Sequence, residues 1–311
     1  MYSLFLGAGF PKWAVNLPVV DELFDFNIEI FNKTDDKRMR ALRSIKLNWD
    51  KKHPKENNEQ FIAYAVQLPE QQKQIVLWYI SRRLAEPFIW NEFHSFRWRR
   101  HVLMIDENRR FQIEGLSKAR DFLYRYSGFS ISGIITTNYD MVIEYALGTT
   151  GFNYGIKDEI LQGRGPYPVS TWRNPVKLTG KIELAKIHGS ISWDEHGHYT
   201  NGRRGITGDA LIVAPTLEKH VPQSIRYVWQ LAREILEQST KLLVFGFAFN
   251  PYDQSVLDLL RSSGKNIKSV LIVDIEPKMD IPSIIWPQAY ISSCQPPPES
   301  NSVINDWMQS F

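Results

Sequence analysis

The chain has 311 residues, enough for one large domain or one domain with a smaller module. Hydrophobic residues make up 43% and charged residues 23%, which excludes a mainly disordered chain. A net charge of +3 is too small to argue for nucleic-acid or membrane binding, and the longest apolar run near the predicted strands, 242–249, is far shorter than the ~18 residues of a membrane span.

Short apolar runs that stop at Gly, Asp or Pro predict strands buried on both faces of a parallel sheet. These runs cover residues 3–6, 133–136, 185–187, 211–214, 241–245, 269–273 and 289–291. Amphipathic segments at 222–239 and 253–261 lie between the later runs. Because strand alternates with helix, the sequence predicts a doubly wound, mostly parallel α/β domain built from residues 1–20 and 127–311.

Residues 21–126 are predicted to form a helical subdomain inserted between the first and second strands. Helical stretches are expected at 59–68, 71–84, 86–103 and 115–126. Residues 33–55 are polar and lysine-rich, and a loop or a marginal helix is expected there.

A basic and aromatic cluster runs from Arg97 to Arg100 and His101. Three interpretations stay open: a helix whose arginines face water, a subunit interface, or contact with nucleic acid or nucleotide. Direct binding of nucleic acid is the least favoured of the three.

The single cysteine, Cys294, excludes an internal disulfide and a four-thiolate zinc site. We therefore expect a reducing, cytoplasmic setting and an inert thiol. The first six residues carry no basic segment, so a secretory signal is not expected.

The first candidate motif is Gly7-Ala8-Gly9-Phe10, directly after the strand at 3–6. Glycines let the backbone turn tightly and approach a ligand, and free N–H groups at a helix start attract phosphate. The complete Gly-x-Gly-x-x-Gly pattern is absent because position 12 is Lys12. An ordinary strand-to-helix turn is the alternative.

Polar side chains follow two further strands. Asn138 and Asp140 come after the strand at 133–136, and His188 comes directly after 185–187. Ligands of open α/β sheets collect at this carboxyl edge, and an imidazole suits general-base work. The alternatives are that Asn138 or Asp140 caps the helix beginning near Met141, and that His188 is structural.

Gly246 and Phe247 follow the strand at 241–245, and Asp274 follows 269–273. Gly246 permits close backbone approach to a ligand, and an acid at a strand end is placed to accept hydrogen bonds from ribose hydroxyls. For Asp274 the alternative is a turn residue ahead of Pro277. No metal is expected, because neither His-Glu-x-x-His nor a Cys/His cluster occurs in the sequence.

In this order the motifs resemble the sirtuin-like NAD-binding domains, in particular the zinc-free bacterial branch found in anti-phage defence. The resemblance implies a Rossmann-like sheet with a smaller helical module over the cleft. The chain departs from sirtuin deacylases in lacking a four-cysteine zinc module and in having Pro11 where serine is usual. The matching blocks are Gly7-Ala8-Gly9-Phe10, Thr137-Asn138-Tyr139-Asp140, His188-Gly189-Ser190, Gly246-Phe247-Ala248-Phe249 with Asp253, and Val273-Asp274.

The resemblance implies an NAD+ hydrolase that cleaves the nicotinamide–ribose bond, with NAD as substrate and no metal. Asn138 would hold the nicotinamide-side ribose or the attacking water, and His188 would act as the general base. The remaining implied NAD-binding residues are Gly7, Ala8, Gly9, Phe10, Asp140, Gly246, Phe247 and Asp274.

The resemblance also implies a role as an NAD-depleting effector in anti-phage defence. Such an effector is expected to be a homo-oligomer activated by a partner, for example a DNA-translocating ATPase or another sensor encoded nearby. Three alternatives stay open: an NAD-dependent protein deacylase, a non-catalytic regulatory subunit that binds NAD or another nucleotide, and a structural subunit whose sheet has lost its ligand.

Overall fold

A computed structural model describes most of the chain. The predicted helix at 86–103 and the cluster from Arg97 to Arg100 lie outside the described residues. The structure describes residues 1–26, 36–85, 115–127, 131–148, 150–155, 180–193, 210–214, 221, 223–296 and 302–310.

Seven strands of the described chain form one parallel sheet, which confirms the predicted fold class. The described residues contain β1 (Tyr2–Leu6), β2 (Ile131–Thr136), β3 (Phe152–Asn153), β4 (Ile182–Lys186), β5 (Gly189–Ser190), β6 (Leu211–Ile212), β7 (Lys241–Phe245), β8 (Ser269–Val273) and β9 (Tyr290–Cys294), of which all but β5 and β6 belong to this sheet. The order across the large sheet is β3-β4-β2-β1-β7-β8-β9, and every neighbouring pair is parallel. The architecture is therefore a Rossmann-type α/β fold with flanking helices.

Helices connect the strands and cover the sheet. They are α1 (Gly9–Val15), α2 (Asp36–Lys52), α3 (Asn58–Ala65), α4 (Glu70–Ala85), α5 (Leu116–Ser127), α6 (Val142–Leu147), α7 (Arg226–Glu237), α8 (Gln254–Ser263), α9 (Asp280–Ile285) and α10 (Ser302–Gln309). Strand β1 at the centre of the sheet and strand β8 beside the edge strand β9 are buried along their whole length. Their continuous apolar runs exist because both faces of the sheet are covered.

The strand order reverses at β1, which has β2 on one side and β7 on the other. In the register, Leu6 lies opposite Thr136 of β2 and Phe245 of β7, so the three strands end at the same level. Ligands of open α/β sheets bind in the crevice outside the carboxyl ends of strands at such a reversal. The fold thus creates a ligand crevice after Leu6.

Two sequence-based expectations need correction. The run at 211–214 was expected to join the parallel sheet, but β6 pairs antiparallel with β5 in a separate two-stranded sheet. The reason is that Gly189 has a positive φ of 85°, which redirects the chain after β4 and presents β5 to β6. Within 33–55, the loop option is also wrong for residues 36–52: α2 has 17 residues, and it buries Met39, Leu42 and Trp49.

The other predicted helices are confirmed where the structure describes them, including the break between α3 and α4 around Pro69. Within α4, Tyr79 stacks on Phe24 and donates a hydrogen bond to the Leu23 carbonyl (3.0 Å). By contrast, α5 packs on α1 and α6, with Phe122 against Phe245 of β7. The division of the chain into an α/β domain and an inserted helical subdomain at 21–126 stays a prediction.

Candidate functional site

A cavity of about 670 Å³ lies at the strand-order reversal, and we call it the switch-point cavity. Its volume is in the range of small-molecule sites in proteins. Segments that follow β1, β2, β4, β7 and β8 all contribute to its lining, together with part of α3. The residues used below line it as follows: Ala8, Gly9, Lys12, Glu59, Asn138, Tyr139, Asp140, His188, Gly246, Phe247, Asn250, Asp253 and Asp274.

The glycine loop after β1 is packed directly on the loop after β7. The amide of Gly7 donates to the Phe245 carbonyl (2.8 Å), and the amide of Gly9 donates to the Gly246 carbonyl (2.9 Å). A Cβ atom on Gly9 would stand 2.6 Å from the Cα of Gly246, so no other residue fits there without displacing backbone. Glycine is required at this contact because the two backbones touch.

Lys12, which follows the glycine loop and lines the cavity, is paired with an acid. Its Nζ lies 2.8 Å from Oε2 of Glu22 at the cavity rim. This hydrogen bond, more than any other interaction, lowers the pKa of Glu22. The pair is substantially exposed, so its contribution to stability is small.

Asn138 is buried and bonded to the glycine loop. Its Nδ2 donates to the Gly7 carbonyl (2.9 Å). Its backbone amide donates to Oγ1 of Thr136 (3.1 Å), whose hydroxyl in turn donates to the Leu6 carbonyl (2.7 Å). The amide group is therefore fixed in orientation, and within the described residues its Oδ1 has no hydrogen-bond partner.

Asp140 lies one residue before Met141, the N-cap of the following helix, and bonds to the first residue of that helix instead of capping it. Its Oδ1 accepts a hydrogen bond from the amide of Val142 (2.8 Å) at the start of α6. Burial raises the pKa of Asp140 to about 6, against the lowering effect of Lys186. Asp140 also lines the switch-point cavity, so the bond to the helix start and a role in the pocket are compatible.

A buried ion pair lies under the Asn138–Asp140 loop. Nζ of Lys186 lies 2.7 Å from Oε1 of Glu144, and both side chains are at most 1% exposed. Lys186 also donates to the backbone carbonyl of Asp140, and Tyr154 donates to the same Glu144 oxygen (3.1 Å). Lys186 thus connects two parts of the site. It lies at the end of β4, just before His188, and it binds the loop that carries Asn138.

His188 is buried, and its imidazole lies against the carboxylate of Asp253 and the ring of Tyr139. Its Nε2 lies 3.3 Å from Oδ1 of Asp253, and both side chains are at most 7% exposed. The ring of Tyr139 stacks beside the imidazole at a centroid distance of 6.3 Å. The amide of Ile191 donates to the Tyr139 carbonyl (2.9 Å), so the loops after β2 and β4 are bonded together.

The turn from Asn250 to Asp253 contacts both the His188 imidazole and α3. The Asp253 amide donates to the Asn250 carbonyl (3.0 Å), and the Tyr252 amide donates to Asn250 Oδ1 (3.1 Å). The remaining side-chain atom of Asn250, Nδ2, donates to Oε2 of Glu59 on α3. Burial first, and then the negative charges of Asp253 and Asp21, raise the pKa of Glu59.

The opposite end of the cavity is formed after β7 and β8. Asp274 lines it, and Oδ1 of Asp274 accepts from the Glu276 amide (3.1 Å), as a turn residue does. Phe247 contacts the rings of Phe5 and Phe249 edge to face. Asp274 and Phe247 therefore lie on the same wall of the cavity as Gly246.

Eight of the ten sequence-predicted site residues line the switch-point cavity, while Gly7 and Phe10 do not. The ring of Phe10 is fully buried among Trp13, Phe122 and Phe245. Sequence reasoning did not select Asp253, Asn250 or Glu59 as site residues. Asp253 had a usable signal, because it stands in one of the matching motif blocks.

In the described part of the chain no three His, Cys, Asp or Glu side chains are grouped as a metal site would require. Within the same residues, no helix has the length and apolar character needed to cross a bilayer.

These features define a parallel α/β domain with a cavity at its strand-order reversal, whose largely apolar lining carries a small set of polar side chains. Residues 132–281 match the family model of the SIR2-like domain. A search of curated proteins finds no match.

Solved structures similar to this chain include Sir2 in complex with the inhibitor EX-527, 2′-O-acetyl-ADP-ribose and a deacetylated p53 peptide. It shares 14% identity, with 94% of this chain and 87% of that chain covered and a TM-score of 0.39. Another is Sir2Tm bound to a propionylated peptide, with 13% identity, 94% and 86% coverage and a TM-score of 0.36.

Proposed function

We propose that the protein is an NAD+ hydrolase that cleaves the nicotinamide–ribose bond and releases nicotinamide and ADP-ribose. The observation that carries the proposal is the arrangement at the switch-point cavity. Asn138 and His188 follow the neighbouring strands β2 and β4, and both line this cavity beside the glycine loop. The SIR2-like domain match over residues 132–281 supports the dinucleotide as ligand.

The reaction needs the substrate and a water molecule to be held in position, and it needs one general base to accept a proton from that water. The bond from ribose C1′ to the pyridinium nitrogen breaks, its electron pair goes to the ring, and nicotinamide leaves as a neutral molecule. Water adds to the oxocarbenium-like carbon, and its proton goes to the imidazole of His188. Because the leaving group is neutral, no strong general acid is required.

Asp253 is proposed as the residue that positions this base. A carboxylate 3.3 Å from Nε2 favours the tautomer with its proton on that nitrogen, which leaves Nδ1 as the proton acceptor. The stacked ring of Tyr139 limits rotation of the imidazole. Asp253 thus acts through His188 and not on the substrate.

Asn138 is proposed to hold the nicotinamide-side ribose or the attacking water. Its Nδ2 is committed to the Gly7 carbonyl. Within the described residues its Oδ1 has no partner and is therefore the atom that accepts from a ribose hydroxyl or water. Fixing the amide in advance avoids the ordering cost when substrate binds.

The adenosine half is assigned to the wall formed by Gly246, Phe247 and Asp274. A carboxylate accepts hydrogen bonds from the ribose hydroxyls and repels a 2′-phosphate. We therefore expect NAD+ to be preferred over NADP+. Of the glycine loop, Gly7 to Phe10, the two residues that line the cavity, Ala8 and Gly9, are assigned to the diphosphate and ribose.

We also propose that hydrolysis depletes NAD+ in anti-phage defence, in an oligomer controlled by a partner protein. This role is supported by the resemblance of the motif blocks.

The test is product analysis after purified protein is incubated with NAD+, alone, with an acylated lysine peptide, and with the product of the adjacent gene. We expect nicotinamide and ADP-ribose without the peptide, and a rate at least ~10²-fold lower in Asn138→Ala and in His188→Ala. His53→Ala is the matched control, because His53 stacks on Trp49 outside the cavity. Turnover that requires the peptide would indicate a deacylase, and binding without any product would indicate a regulatory subunit.

A further inference from the structure

Four polar side chains form a continuous cluster on one wall of the switch-point cavity: His188, Asp253, Asn250 and Glu59. Asp253 lies 3.3 Å from the imidazole, and Asn250 bonds both the turn that carries Asp253 and the carboxylate of Glu59. Three of the four come from segments that follow sheet strands, whereas Glu59 comes from α3, between β1 and β2 in the chain.

This wall carries an excess of negative charge. Two carboxylates, Glu59 and Asp253, face one imidazole, and Asp21 adds a third acid near Glu59. The ammonium of Lys12, which also lines the cavity, is paired with Glu22. The cluster therefore favours a ligand group that brings a positive charge to this wall.

The proposed function supplies such a group. If His188 receives the proton of the attacking water, the scissile carbon and the ring attached to it lie beside this cluster. That ring carries one positive charge in the oxidised dinucleotide and none in the reduced one. A carboxylate nearby therefore attracts the oxidised form, and the attraction ends when neutral nicotinamide is released.

We propose that Glu59 is a specificity-determining residue that selects a dinucleotide with a cationic nicotinamide ring over its neutral, reduced form. The inference rests on the proposed function, because it needs the nicotinamide end of the ligand at His188. It goes beyond that function by giving α3 a direct part in ligand choice.

The test is calorimetric titration with two dinucleotides that are not hydrolysed: carba-NAD+, which keeps the cationic ring, and NADH. For the unmodified protein we expect carba-NAD+ to bind at least ~10-fold more tightly than NADH. In Glu59→Gln this ratio should fall at least ~5-fold, mainly through weaker binding of carba-NAD+. Glu59→Asp keeps the charge and should keep most of the ratio.

Glu70→Gln is the matched control, since Glu70 lies on α4 outside the cavity and pairs with Lys73 at the surface. A ratio unchanged in Glu59→Gln, with both ligands still bound, would overturn this inference alone. If neither dinucleotide binds the unmodified protein, the proposed function fails together with the inference. NADH binding retained in Glu59→Gln also shows that the variant is folded.

Discussion

Replacement of Asp140 by Asn isolates the effect of one buried charge on stability. Burial raises the pKa of this carboxyl to about 6 in the folded protein, from 3.8 in an exposed chain. Between those values the folded state holds a proton that the unfolded state has lost. The free energy of unfolding therefore falls as pH rises through this window and stays lower above it.

The size of the effect follows from the difference between the two pKa values. About two pKa units correspond to about 3 kcal/mol at 1.36 kcal/mol per unit. Asn keeps an Oδ1 that accepts a hydrogen bond from the Val142 amide at the start of α6, so this contact is retained. Asp140→Asn should thus differ little from the unmodified protein in acid and be more stable by about 3 kcal/mol at neutral pH.

The assay is urea unfolding of both proteins at about pH 4 and about pH 7, with midpoints and slopes compared. Asp121→Asn is the control, because this exposed acid on α5 pairs with Arg120 at the surface. A destabilisation of Asp140→Asn that is equal at the two pH values would refute the reasoning, since it would mean that the buried charge carries no penalty.

Two other substitutions test packing at the site. Lys186→Met leaves the fully buried Glu144 without its cation, so we expect a loss of about 3–5 kcal/mol in urea unfolding. Adding Glu144→Gln should restore at least half of that loss, and a double variant no better than the single one would contradict the pairing. Gly9→Ala places a Cβ atom 2.6 Å from Gly246 Cα. We expect the free energy of unfolding to fall by about 1–3 kcal/mol, and we expect calorimetry to show that dinucleotide binding is lost. Full retention of both would argue against the close contact.

The long strands of the parallel sheet, and the edge at which their polar residues meet, could be predicted from the sequence because both depend on local pattern. Apolar runs that end at Gly7, Asn138 or His188 mark the carboxyl ends of β1, β2 and β4. Parallel pairing then brings those ends to one side of the sheet. No contact between distant residues is needed for this inference.

The contacts that fix the site could not be predicted, because they join distant positions. The Asn138 amide meets a carbonyl 131 positions away, and Asn250 meets Glu59 across 191 positions. Neither pair shares a local pattern. Lys186 did carry a signal, since a lysine in an apolar strand needs a buried partner, but that partner, Glu144, is identified only in three dimensions.

The most direct test of the account is a crystal structure of His188→Ala with NAD+ bound. We expect the nicotinamide ribose between the Asn138 side chain and position 188, with the adenosine half toward Asp274. A dinucleotide bound in the reverse direction, or outside the cavity, would contradict the account.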